Sequence, residues 1–94
     1  MLKVTLQGNK PGKLSKFLQL VNDREKALNV KILRATLTNF KGVVLAYRPY
    51  DNSFIVWSVY YHGIEDRCSY DGFSSGDYDL TLVQALNEFK NRLA

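Results

Sequence analysis

The most reactive side chains of this 94-residue chain lie in one short stretch. His62 is the single histidine, and Glu65, Asp66 and the single cysteine Cys68 follow it within seven residues. Such a group could form a metal site, or a thiol nucleophile with its base. Structural zinc requires closed sets of Cys and His at recognised spacings, and a catalytic thiol requires a histidine brought from elsewhere in the fold. Neither pattern is present, so we predict a non-enzymatic protein without metal or cofactor.

Three aspartates and two glycines within residues 71–79 resemble the composition of a calcium-binding loop. Asp71, Asp77 and Asp79 lie close to Gly72 and Gly76. The alternating ligand spacing of an EF-hand and its closing glutamate are absent, so helix capping and loop solvation explain these aspartates better. The chain also contains no P-loop, no dinucleotide-binding glycine motif and no nucleophile elbow. Nucleotide-dependent enzymes are therefore not indicated.

The length and composition indicate one folded domain over residues 1–94. Hydrophobic residues make up 46% and charged residues 23% of the chain, as in ordinary globular proteins. A lone cysteine cannot form an internal disulfide, which favours a reducing compartment. The first seven residues alternate apolar and polar and do not form the apolar region of a signal peptide. We therefore expect a cytoplasmic protein.

The net charge of +4 is unevenly distributed along the chain. Residues 1–48 hold ten basic and two acidic residues, a balance of +8, whereas residues 49–94 hold three basic and seven acidic residues, a balance of −4. This division can steer an acidic partner, nucleic acid included, to one side of the protein, or permit head-to-tail self-association. The alternative is that the two halves fold over one another and neutralise each other in space.

The stretch around which the other elements must be arranged is residues 54–61, an almost unbroken run of β-branched and aromatic residues. Such a run is typical of a central strand buried on both faces. Alternation places Phe54, Val56, Ser58 and Tyr60 on one face and the intervening residues on the other. Both faces therefore require cover.

The remaining elements follow from hydrophobic periodicity and turn residues. The pattern predicts a strand over residues 2–7, a helix over about 13–27, strands over 30–38 and 43–48, and a shorter strand over 68–73 followed by a loop at 74–77. Asn29 can end the first helix, and the turn residues at 39–42 and 49–52 join consecutive strands into an antiparallel meander. We predict an α+β two-layer sandwich of four to five strands and two helices, in the order β-α-β-β-β-(β)-α.

The last helix has the most specific local signals. Thr81 and Gln84 form a capping box, and Leu80 and Ala85 have the spacing of a hydrophobic staple. Its apolar residues fall on one stripe, which predicts that the helix docks on a sheet. The residues of this stripe are Leu82, Ala85, Leu86, Phe89 and Leu93.

A register that pairs Asn39 with Gly42 and Arg48 with Ser53 places Leu37 opposite Val44 and Val44 opposite Trp57, and alternation in the preceding strand adds Leu33 to this face. The other face, to which alternation assigns Ile32 and Arg34, mixes aromatic rings, hydroxyl groups and an arginine. This combination is typical of binding surfaces. The residues predicted to bind a protein partner are Arg34, Tyr47, Phe54 and Tyr60. If both helices cover the opposite face, as the two-layer rule favours, this face is free; if the helices are split, it is core.

The alternative function is nucleic-acid binding by the basic amino-terminal half. The residues expected to contact phosphates are Lys10, Lys13, Lys16, Lys31 and Arg48. The element order helix, three-stranded meander, helix also resembles the double-stranded-RNA-binding domain. That family has a lysine cluster at the start of its second helix, where this chain has Asp77 and Asp79, so the resemblance does not extend to the phosphate contacts.

We therefore predict a small protein-binding module of the inhibitor or adaptor type, acting through the aromatic sheet face. Such compact, cofactor-free chains are common among accessory proteins of phages and mobile elements. Nucleic-acid binding is the alternative.

Overall fold

The computed structural model describes the backbone of residues 3–6, 11–38, 41–60 and 73–93, and the side chains of residues 16–38, 41–60 and 76–93. These residues form five strands and two helices. The strands are β1 (Lys3–Leu6), β2 (Lys31–Leu37), β3 (Lys41–Arg48), β4 (Ser53–Tyr60) and β5 (Phe73–Leu80), and the helices are α1 (Pro11–Leu28) and α2 (Leu82–Leu93).

The strands form one mixed sheet whose spatial order is the order of the chain, β1-β2-β3-β4-β5. β1 pairs with β2 in parallel, and α1 supplies the crossover that parallel neighbours require. β2, β3, β4 and β5 form an antiparallel meander. The predicted α+β class and the predicted order of elements are confirmed.

The central hairpin has the predicted register. Val44 lies opposite Trp57, and Arg48 lies opposite Ser53 on either side of a four-residue turn. Asn52, the last residue of this turn, has a φ of 56°, a left-handed conformation that asparagine tolerates better than most residues.

The hairpin between β2 and β3 closes one residue earlier on each strand than we predicted. The backbone N–H of Thr38 donates to the carbonyl oxygen of Lys41 at 2.8 Å. Leu37 consequently lies opposite Gly42 rather than Val44. Because the shift amounts to two residues, each side chain near the turn keeps its predicted face.

A β-bulge in β2 changes the faces further along the strand. Ile32 lies opposite Ala46 and Arg34 lies opposite Leu45, so Leu33 has no partner of its own on β3. Ile32 packs on the α1 side of the sheet, whereas Leu33 packs on the α2 side. Strict alternation had placed Ile32 with Arg34 and was wrong at this point.

β5 lies later in the chain than the strand that we predicted. We expected a strand at 68–73 and a loop at 74–77, but β5 runs from Phe73 to Leu80 and includes the expected loop. The rest of the predicted strand, before Phe73, lies outside the described residues. Ser, Gly and Asp disfavour strands locally, and pairing with β4 overrides that preference. The pairing is irregular at two places, and Asp79 has a φ of 60°.

The two helices lie on opposite faces of the sheet, so the predicted two-layer arrangement is wrong and the fold has three layers. Phe17 and Val21 of α1 pack on one face, and Ala85 and Phe89 of α2 pack on the other. The physical reason lies in β3, where the whole run Val43–Ala46 is buried. A strand that is apolar on both faces needs a helix on each.

The ends of the helices follow local signals. α1 begins at Pro11, two residues before the predicted start, because proline suits the first turn of a helix. It ends as predicted before Asn29, which has a φ of 54°. The capping box of α2 is confirmed: the Thr81 N–H donates to Gln84 Oε1 at 3.0 Å, and the Gln84 N–H donates to Thr81 Oγ1 at 3.2 Å.

Gly42 permits the close approach of α1 to the sheet. A Cβ atom added to Gly42 would lie closer than 3.0 Å to the ring of Phe17. The Phe17 side chain is fully buried in this position. Glu25 also ties α1 to β2, because its carboxylate accepts the Ile32 N–H at 2.8 Å.

Candidate functional site

The sheet face that we predicted to be a binding surface is largely covered by α2. This helix lies across β3, β4 and β5. Val43, Leu45 and Val56 are no more than 1% exposed and pack with Ala85 and Phe89. The middle of the predicted aromatic face is therefore core, and the helix that covers it is the last one, not α1.

The four residues predicted to bind a partner are distributed around α2. Tyr47 and Phe54 lie together, with ring centroids 5.2 Å apart, and both are half-buried. Arg34 is exposed on β2. Tyr60 is 40% exposed at the far end of β4, about 20 Å from Phe54 at about 3.4 Å per residue. The structure thus separates Tyr60 from the other three.

Arg92 fixes the position of α2 on the sheet. Its guanidinium donates to Glu88 Oε2 at 2.8 Å, to Ser58 Oγ of β4 at 2.8 Å and to Asp77 Oδ2 of β5 at 2.9 Å. Burial lowers the pKa of Arg92, but the bonds to Glu88 and Asp77 outweigh this and raise it. The same contact holds the pKa of Asp77 below its ordinary value of 3.8. The C-terminal part of α2 is therefore bonded to two strands.

These contacts also fix which flank of α2 faces away from β5. A helix turns about 100° per residue, so Glu88 and Arg92 occupy the flank towards β5. Val83, Leu86 and Lys90 occupy the opposite flank, towards β2. This second flank faces the β2 side of the sheet, where Lys31 and Arg34 are exposed and Thr36 is buried.

Five apolar or aromatic side chains lie at the first residue of α2, on this flank, and on β2 and β3; we call them the α2-flank patch. Val83 is 68% and Leu82 47% exposed, and Leu33, Tyr47 and Leu86 are half-buried. Leu33 and Leu86 both pack against the cluster beneath α2. The patch therefore contains apolar side chains that pack against the core and others that are exposed to solvent.

Basic side chains surround the α2-flank patch. Lys31 lies opposite Tyr47 across β2 and β3, Arg34 follows Leu33, and Lys90 lies one turn after Leu86. Lys31, Arg34 and Lys90 are exposed. Within the described part of the chain none of these three has an ion-pair partner.

Sequence reasoning missed three members of the patch. Leu82 was predicted to lie in the buried stripe of α2, and its 47% exposure corrects that prediction. Leu33 was assigned to the other face, because alternation cannot reveal a bulge. Val83 does not belong to the apolar stripe of the last helix. An apolar residue outside that stripe, directly after Leu82, was the sequence signal that could have indicated an exposed apolar surface.

The residues of the predicted nucleic-acid surface do not form one group among the described side chains. Lys10 and the side chain of Lys13 lie outside the described residues. Lys16 is near the end of the sheet where Phe17 covers β3, whereas Lys31 begins β2 at the opposite end. The six residue-to-residue steps from Lys31 to Leu37, the two ends of β2, correspond to about 20 Å.

Arg48, the fifth residue of that predicted surface, is already bonded to carboxylates. Its Nε donates to Asp51 Oδ1 at 3.0 Å and a terminal nitrogen to Asp51 Oδ2 at 2.7 Å. It also pairs with Asp79, and its guanidinium lies over the ring of Tyr50 at 5.2 Å. Hydrogen bonding to Arg48 lowers the pKa of Asp51 to about 2.

The reactive stretch at residues 62–68, with His62, Glu65, Asp66 and Cys68, lies outside the described residues, and so does Asp71. Among the residues that are described, no group of three or more His, Cys, Asp or Glu could hold a metal ion. No helix in the described ranges is both long and apolar enough to cross a membrane.

No protein family, curated protein or solved structure matches this chain.

Proposed function

We propose that this chain is a small non-enzymatic protein-binding module of the inhibitor or adaptor type, and that it binds through the α2-flank patch. The observation that supports the proposal is the exposure of Val83 and Leu82 on a helix whose Leu86 packs, together with Leu33 of β2, against the core of this face. Isolated exposed apolar residues are ordinary, whereas contiguous ones beside a core mark interaction surfaces.

The composition of the patch suits a protein partner. Branched aliphatic side chains and a tyrosine offer contact area that is already partly ordered, because Leu33 and Leu86 pack against the core. Arg34, at the margin, supplies directed hydrogen bonds, and arginine and tyrosine are enriched among residues that dominate binding energy. Two of the four residues predicted from sequence, Arg34 and Tyr47, belong to this surface or its margin.

Nucleic-acid binding is the alternative that an experiment must separate from this proposal. It would rely on lysines spread over both ends of the sheet and on Arg48, which is bonded to two carboxylates. A nucleic-acid surface gains affinity from many phosphate contacts on one contiguous face. The described cations therefore favour it less than protein binding.

The proposal can be tested by selecting binders from a display library of random 16-residue peptides. Peptides selected on the wild-type protein are then titrated, as fluorescent derivatives, against the variant Leu82→Ser/Val83→Ser. Both side chains are substantially exposed, so the substitutions leave the core unchanged. We expect the double variant to lose more than about 1 kcal/mol of binding free energy, the usual threshold for an important interface residue.

Tyr50→Ser is the matched control, because Tyr50 is 81% exposed but lies in the turn between β3 and β4. We expect this variant to bind the selected peptides like the wild type. Peptides that bind both variants with unchanged affinity would contradict the proposed surface. Labelled duplex RNA and single-stranded DNA, titrated at low and high salt, test the alternative, and tight salt-sensitive binding would contradict a protein-binding role.

A further inference from the structure

We propose that the partner presents an acidic, amphipathic α-helix, which lies beside α2 over residues 31–34 at one end of β2. This inference rests on the proposed function and adds the chemistry of the partner to it. It follows from the exposure at this end of β2, from the pairing of the strands and from the charges around the patch.

Beside α2 the sheet face is open at residues 31–34, one end of β2. α2 contacts β3, β4 and β5 most, and on β2 Lys31 and Arg34 are exposed, Leu33 is half-buried and Thr36 is buried. An α-helix with its side chains is about 10 Å wide, or about two strand spacings of about 4.8 Å, so a helix over this end of β2 would also lie over the adjacent strands. Along α2 the contact flank from Val83 to Lys90 is about 10 Å long, or two turns of a partner helix at about 1.5 Å per residue.

The pairing of the strands favours a helix over an added strand. β2 is already paired on both sides, with β1 and β3, so the patch offers no free strand edge. β5 is an edge strand, but its pairing with β4 is irregular at two places and Asp79 has a φ of 60°. Such irregularities protect an edge against strand addition. A partner that covers an open sheet face is usually a helix with an apolar stripe.

The charges around the patch select an acidic partner. The carboxylates of Asp51, Asp77, Asp79 and Glu88, which are all those described after residue 48, are bonded to Arg48 or Arg92. The exposed basic side chains at the patch have no such partner among the described residues. A partner helix with aliphatic residues at i, i+3, i+4 and i+7 would contact the apolar side chains of the α2-flank patch. Glutamates next to those positions would pair with the exposed basic side chains around the patch.

The same charges disfavour a second copy of this chain at the patch. In a two-fold symmetric dimer each patch would face itself. Lys31, Arg34 and Lys90 of one copy would then lie near the same cations of the other, which is a repulsive arrangement.

The test analyses the sequences and the charge dependence of the selected 16-residue peptides. We expect enrichment of acidic residues, apolar residues at helical spacing, and helical circular dichroism on binding. Arg34→Glu and Lys31→Glu should each weaken binding about tenfold, with a reduced dependence on salt. Lys26→Glu is the matched control, because Lys26 is also exposed but lies on α1, and it should change affinity less than about twofold.

A charge exchange makes the test specific. Peptides in which the enriched glutamates are replaced by lysine should lose binding to the wild type and regain it with Arg34→Glu. Loss of binding in Leu82→Ser/Val83→Ser without any response to Arg34→Glu or Lys31→Glu would leave the proposed function intact and overturn the acidic helix. Selected peptides with an alternating strand pattern would overturn it equally.

Three further outcomes would overturn the inference. The first is the absence of enriched peptides, and the second is binding that no patch substitution changes; both would also refute the proposed function. The third is a concentration-dependent dimer, detected by light scattering, that Leu82→Ser/Val83→Ser abolishes. That result would assign the patch to self-association.

Discussion

Truncating Phe89 tests the three-layer arrangement most directly, because Phe89 is the largest side chain by which α2 is anchored to the sheet. It is 7% exposed and packs with Val43, Leu45 and Val56. Substitution of a buried phenylalanine by alanine costs about 3–5 kcal/mol. The free energy of unfolding of a chain of this length is about 5–14 kcal/mol, at about 0.05–0.15 kcal/mol per residue. Phe89→Ala should therefore remove a large fraction of the stability.

Urea denaturation followed by tryptophan fluorescence measures this loss. Trp57 is the only tryptophan, is 2% exposed and lies on the α1 side of the sheet. It therefore reports unfolding of the whole domain, not the local loss of Phe89. With a slope of about 1.5 kcal/mol per molar urea, the expected loss lowers the midpoint by at least about 2 M.

Two companion substitutions on α2 make the result interpretable. The sequence predicted a fully buried Leu86, but this side chain is half-buried. Leu86→Ala should therefore cost about 1–2 kcal/mol, roughly half of the usual cost of truncating a buried leucine. Val83 is 68% exposed, and Val83→Ala should change stability by less than about 0.5 kcal/mol. A midpoint for Phe89→Ala within about 0.3 M of the wild type would refute the docking of α2.

Two other predictions concern titration and the reactive stretch. Arg92 lowers the pKa of Asp77, so this contact stabilises the fold above about pH 4, the ordinary pKa of an aspartate, and the stabilisation is lost as the pH falls through the lower folded value. The Tm difference between the wild type and Asp77→Asn should therefore shrink as the pH is lowered, and a difference that stays the same or grows along the acid limb would disprove it. His62→Ala and Cys68→Ser should retain peptide binding, and elemental analysis should find no stoichiometric metal; loss of binding in a folded variant, or bound metal, would refute the non-enzymatic assignment.

Local signals in the sequence predict those parts of the fold that local interactions determine. The capping box at Thr81, the end of α1 before Asn29 and the register of Val44 opposite Trp57 each depend on a few neighbouring residues. The chain in these places has one low-energy arrangement that short-range hydrogen bonds and turn residues specify.

Tertiary contacts determine the parts that were predicted wrongly. The run 74–77 has the composition of a loop, and only its pairing with β4 makes it a strand. The division of the helices between two faces follows from the burial of all of Val43–Ala46, which local periodicity allows but does not require. The bulge that moves Leu33 to the α2 side leaves no trace in the alternation of the sequence.

The candidate site depends on all three of these tertiary features, which explains why sequence reasoning did not find Leu33, Leu82 and Val83. The face of Leu33 is set by the bulge, and the exposure of Val83 is set by the rotation of α2. That rotation is held by Arg92, whose partners lie on β4 and on the misassigned strand β5. Arg34 and Tyr47 were predicted to share this face because the pairing of β2, β3 and β4 places them there, whereas their exposure follows from where α2 docks.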